Sequence, residues 1–70
     1  MAPYLTLQSW LRDNELSAAE FARRLEYDRS NFHNILKGNI WPTLELALKI
    51  ERETAGAIPM RAWAEAKAAA

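Results

Sequence analysis

Only Glu26 and Tyr27 separate the end of one amphipathic segment at Leu25 from the cap of the next at Asp28. Upstream, Ser17-Ala18-Ala19-Glu20 has the form of a capping box, in which Ser17 accepts from the Glu20 amide and Glu20 reaches back to the Ser17 amide. Leu16 and Phe21 flank it as a hydrophobic staple, and Phe21, Ala22 and Leu25 make the inward face. Asp28 caps the following segment, Tyr27 and Phe32 offer a second staple, and Phe32, Ile35 and Leu36 form its stripe. The spacing predicts helices over about 17–25 and 28–37. So short a connection forces them to cross steeply, as in a helix-turn-helix unit. Ala22 falls at the crossing, where any side chain larger than methyl would push the helices apart.

The rest of the chain reads as helix too. Thr6 is the expected cap of a first helix with the stripe Leu7, Trp10, Leu11, which ends near Asn14 in a left-handed residue. Gly38 is the expected stop of the third helix. Thr43 caps a fourth helix whose wide apolar face comprises Leu44, Leu46, Ala47, Leu48 and Ile50 and which ends before Gly56. Pro59 opens a short fifth helix bearing Met60 and Trp63, and the alanine-rich stretch 64–70 is expected to be a frayed tail. The expected fold is all-α, a single domain of four to five short helices over residues 1–70.

Composition narrows the chemistry. A 70-residue chain without cysteine has neither disulfides nor thiolate metal sites to supplement a small core. There is no glycine-rich phosphate loop and no metal-ligand spacing. Nor is there a nucleophile, base and orienting group that so small a core could bury. Neither enzyme activity nor a cofactor is expected. No apolar run approaches a membrane span, and the N-terminus has no secretory pattern, so no membrane association and a cytoplasmic location are expected. Nine basic residues balance nine acidic ones. A nucleic-acid binder of this composition must therefore gather its positive charge on one face.

That gathering is visible around the third helix. With its stripe turned inward, it presents Arg29, Ser30, Asn31, His33, Asn34 and Lys37 outward. From Arg29 through Thr43 there are two positive charges and no negative one. Arg pairs bidentately with guanine and Asn with adenine, while Ser and His can donate or accept at base edges. Lys37 suits a phosphate. Arg23 and Arg24 add charge on the second helix, where Glu20 and Glu26 could neutralise them as part of a solvated face.

The stretch Leu16 to Gly38, LSAAEFARRLEYDRSNFHNILKG, resembles the helix-turn-helix of the lambda-repressor-like (Cro and XRE-type) family. Pro42 and LALKIERETAGAI (Leu46 to Ile58) resemble the next helix and exit of small phage Cro-like and antitoxin-type members, so the resemblance spans roughly residues 5 to 63. It implies a homodimeric transcriptional repressor whose third helix enters the major groove of double-stranded DNA. Each protomer would read half of a short palindrome. Carried onto this chain, it implies base contacts by Arg29, Ser30 and Asn34, then Asn31 and His33. Ser17, Arg23, Arg24, Lys37, Asn39, Trp41 and Thr43 would contact the DNA backbone.

Three positions depart from the family pattern. Glu26 stands where the turn usually has a glycine at positive φ. Ala18 replaces a polar residue, often Gln, that touches DNA. The loop Asn39-Ile40-Trp41 lacks the usual basic residues. Neutral charge and this loop leave a second function open: a protein-binding module of the same shape, an antitoxin or antirepressor partner, with or without control of its own operon. Trp41 has two open placements, under the loop or exposed near DNA or a partner. Ile58, Met60 and Trp63 either close the core or form a dimer contact. His33 is a solvent-facing residue or a groove contact.

Overall fold

The computed structural model describes residues 2–69 and is all-helical over them: α1 (Pro3–Asp13), α2 (Ala18–Arg24), α3 (Arg29–Leu36), α4 (Leu44–Glu53) and α5 (Met60–Ala69). No helix is long and apolar enough to cross a membrane among the described residues. All five helices contribute to one core. Leu7 and Leu11 come from α1, Phe21 and Ala22 from α2, Phe32, Ile35 and Leu36 from α3, Leu46, Ala47 and Ile50 from α4, and Trp63 from α5, with Leu25 and Ile58 between helices.

Three starts follow the sequence expectation. Ser17 Oγ accepts from the Glu20 amide at 3.1 Å, Asp28 Oδ2 from Asn31 at 2.9 Å, and Thr43 Oγ1 from Leu46 at 3.2 Å. Each satisfies a donor that the first helical turn leaves without a partner. Only the Ser17 half of the capping box is seen among these bonds. The first helix differs from expectation: it starts at Pro3, a turn before Thr6, with Ala2 as a cap that makes no side-chain bond. Proline has no amide hydrogen to satisfy and its φ is already helical, so this start requires no capping side chain. Thr6 lies inside the helix, its hydroxyl donating to the Ala2 carbonyl at 3.3 Å.

The helix ends share one device. After α1, α2, α3 and α4 the chain turns through a left-handed residue: Glu15 (φ 54°), Glu26 (φ 56°), Gly38 (φ 81°) and Ala55 (φ 52°). At each, paired backbone bonds reach back into the helix. After α2 they are Tyr27 N to Ala22 O (3.0 Å) and Glu26 N to Arg23 O (3.1 Å), the Schellman pattern. Glu15 rather than Asn14 takes the left-handed position after α1. Asn14 keeps negative φ and spends its side-chain amide on the Trp10 carbonyl at 2.8 Å.

Glu26 at φ 56° meets the expectation of positive φ in the α2–α3 turn. That conformation costs a residue with a Cβ about 1–2 kcal/mol, part of which glycine gives back through its freer unfolded chain. Glu26→Gly is expected to raise the melting temperature by about 3–6 °C. A fall would mean that the glutamate side chain stabilises the turn by more than its backbone costs.

Glycine is demanded most strongly at Gly38. A Cβ there would lie 2.7 Å from Cζ of Tyr4, so an added methyl must displace the ring as well as hold positive φ. We expect Gly38→Ala to cost about 2 kcal/mol in thermal or urea unfolding. Combining it with Tyr4→Ala should relieve the collision but not the backbone strain. Equal losses in single and double variants would show that the ring yields freely.

Two expectations about α4 and α5 are corrected. Leu44, expected on the buried face of α4, is 72% exposed, because it sits in the first turn beyond the core. The stretch 64–69, expected as a frayed tail, is helical and continues α5, while Ala70 lies outside the described residues. Glu51 Oε1 accepts from the Met60 amide at 2.8 Å and holds the start of α5 against α4. Thr54, buried in the connection, donates to Ile50 O at 2.8 Å and accepts from the Ile58 amide at 3.2 Å.

Candidate functional site

Because Phe32, Ile35 and Leu36 are buried on one side of α3, the opposite side is fixed in direction. Gln8 of α1 also donates its side-chain amide to the Leu36 carbonyl, tying the end of α3 down. At the other end of the pair, Lys49 Nζ reaches the Leu25 carbonyl at 3.4 Å, at the end of α2.

The free side of α3 and the first turn of α2 enclose an open cleft of about 500 Å³ lined by Ala18, Ala19, Arg29, Ser30, His33 and Asn34. Four of the five residues expected at bases therefore come together in one concavity. Arg29, Ser30 and His33 are exposed and Asn34 is half-buried. Asn31 is exposed on α3 but does not line the cleft. No lining residue is acidic, so the guanidinium of Arg29 dominates its field. The walls carry a guanidinium fork, an amide, a hydroxyl and an imidazole, and the α2 side offers two methyl groups.

The residues expected at a DNA backbone are more dispersed. Lys37 and Asn39 are exposed just past α3, and Arg23 and Arg24 are exposed on α2. Arg24 borders a separate concavity with Glu26, Lys49, Arg52 and Glu53. Ser17 and Thr43 both serve as helix caps. Thr43 and Trp41 line a third concavity, an apolar groove of about 310 Å³ shared with Pro42, Leu44, Met60 and Trp63.

Trp41 and Trp63 meet at that groove. Trp41 is 42% exposed and meets Trp63 edge-on, with ring centroids 6.0 Å apart. Trp63 is itself buried, as is Ile58. Both fill the core of the chain, one of the two placements open to them, and Met60 is half-buried at the groove. The sequence does not show the outcome for Trp63, because α5 carries only Met60 and Trp63 as large apolar residues and so has no stripe.

The sequence marks Ala18 only as a departure from a polar residue that touches DNA, and Ala19 was not foreseen as a cleft residue. Alanine carries no functional group to mark it, and the available signal was only their place in the first turn of α2. Among the described residues, no group of three or more His, Cys, Asp or Glu could hold a metal ion. Comparison with known protein families, with curated proteins and with solved structures finds no match to this chain.

Proposed function

We propose that this protein is a sequence-specific, double-stranded-DNA-binding repressor of the small phage Cro type, acting in the cytoplasm as a homodimer on a short palindrome. In this reading α2 and α3 form a helix-turn-helix unit and α3 enters the major groove. The observation that carries it is the cleft: Arg29, Ser30, His33 and Asn34 converge on an acid-free concavity whose helix is locked from behind by buried Phe32 and Ile35. Guanidinium, amide, hydroxyl and imidazole groups match the donor and acceptor edges that base pairs present in the major groove. Lys37 and Arg23 flank the cleft in sequence and would take phosphates. Repression follows from occupying a promoter.

Selection of bound duplexes from a randomised pool tests the proposal. An enriched palindrome with half-sites about one helical turn apart is the expected result. Absence of enrichment by folded protein would overturn it.

A second reading draws on a different observation. Exposed Trp41 and Leu44 beside Met60 form an apolar groove, and the chain's net charge is zero. Those features suit a protein-binding module, such as an antitoxin or antirepressor partner, that engages its target through the groove. Leu44→Lys separates the readings: it should abolish partner capture and leave enrichment of DNA by the α3 cleft intact.

A further inference from the structure

The groove between α4 and α5 has two features that an apolar surface alone does not explain. Trp63 forms one of its walls, and Trp63 Nε1 is buried without a hydrogen-bond partner. It is the one side-chain nitrogen or oxygen so placed among the described residues. Buried donors nearly always find an acceptor, so an orphaned one calls for an explanation. Trp41 stands edge-on to the Trp63 ring and is the more exposed of the two. Displacing the Trp41 ring is the route by which an acceptor in the groove would reach that nitrogen.

The second feature is charge. Met60, Trp63, Ala64 and Lys67 follow at helical period down one side of α5, and Lys67 is the only charged residue lining the groove among the described residues. In a symmetric contact between two copies the same patch meets itself. Each copy would bring a lysine and no carboxylate to that contact, so a second copy is a poor match and an acidic partner a good one. From Trp63 to Lys67 is about one turn, a rise of about 6 Å. Side chains three or four residues apart on a second helix have nearly the same separation.

We propose that the groove seats a short helical segment of a second protein, with an apolar side chain over Trp63 and Met60 and an Asp or Glu three or four residues away at Lys67. The inference rests on the protein-binding reading of the groove and names the partner's chemistry. It is independent of the DNA reading, since the groove and the α3 cleft share no lining residue. As the segment seats, it displaces the Trp41 ring, and one of its oxygens becomes the acceptor for Trp63 Nε1.

Panning a random peptide library on the full chain tests the proposal. The expected winners pair a Leu or aromatic residue with an acidic one three or four positions away. Lys67 is exposed, so its replacement leaves the core intact. Lys67→Glu should weaken a winning peptide about fivefold, the upper range for an exposed ion pair, and should itself enrich Lys or Arg in place of the acid. On addition of the peptide, the Trp63 indole N–H resonance should move downfield. Trp10→Phe and Trp41→Phe identify that resonance by removing the other two indoles in turn.

Winners without an acidic residue, or unaffected by Lys67→Glu, would overturn the acidic partner while leaving the groove as a protein-binding surface. A Trp63 resonance unmoved by bound peptide would overturn the assignment of its N–H to the contact. No enrichment by folded protein would overturn both the inference and the reading it rests on. A dimer that Leu44→Lys converts to monomer would then assign the groove to a second copy of this chain.

Discussion

Replacing Phe21 by alanine is expected to abolish cooperative folding at room temperature. Phe21 is fully buried in α2, and its ring lies 5.6 Å from Trp10 of α1 on one side and 5.6 Å from Phe32 of α3 on the other. It is thus the shared contact of α1 with the two helices that line the cleft. Truncating a buried phenylalanine costs about 3–5 kcal/mol, because lost transfer energy adds to the cavity left behind. A domain of this length has a total stability of about 4–10 kcal/mol. The substitution therefore consumes a large part of it, and at the low end of that range all of it. Urea unfolding followed by far-UV circular dichroism should show no native baseline, or a midpoint lowered by about 2 M or more. Phe21→Leu, which conserves most of the volume, should cost under about 1.5 kcal/mol and keep a sharp transition. A Phe21→Ala midpoint close to the parent's would mean that the three rings do not form the centre of the core.

The same three helices show what could be read in advance. The boundaries of α2 and α3 were legible because Ser17 and Asp28 mark them by chemistry: each oxygen takes a specific amide, and few other residue types can. Positive φ at Glu26 was legible from the resemblance of the turn to a glycine-containing pattern. The start of α1 was not, since Thr6 is a good cap by composition while Pro3 needs no cap at all. Two adequate start signals compete there, and local sequence does not rank them. The left-handed position at Glu15 was also missed, because the neighbouring Asn14 is better suited by intrinsic preference; after α4 both Ala55 (φ 52°) and Gly56 (φ 87°) are left-handed. At the end of α1 the paired bonds Glu15 N to Arg12 O and Leu16 N to Leu11 O close the helix one residue beyond Asn14.

For the cleft, the polar residues of α3 were legible from helical period: once Phe32, Ile35 and Leu36 face inward, the outward set follows. What period could not supply was depth. Whether Asn31 shares a concavity with Asn34 depends on how α2 leans over α3, and that is a tertiary matter. The apolar groove was hidden for a similar reason. Trp41 and Leu44 lie on opposite sides of the Thr43 cap, and only the docking of α5 brings Met60 and Trp63 beside them.

If α3 reads DNA, binding should fall about a thousandfold between 50 and 200 mM salt. Each protomer offers three cationic side chains near the proposed interface, Arg23, Arg24 and Lys37, all exposed. A dimer that places all of them on phosphates would have a log–log salt slope of about −5, since each neutralised phosphate releases close to one counterion. The balanced charge of the whole chain does not cancel this effect, because counterion release counts local contacts. Two substitutions then divide the interface by role. Lys37→Ala should weaken all duplexes alike and flatten the slope by about one for each protomer on the DNA. Asn34→Ala should cost about 1–3 kcal/mol on the enriched site, relax preference at one base pair, and leave the slope unchanged. The asymmetry follows from position: Asn34 lines the cleft, half-buried, whereas Lys37 lies past the end of α3 and outside that lining. Identical behaviour of the two variants would show that the cleft positions the protein without reading sequence, and a salt slope near zero would move the function from DNA to the apolar groove.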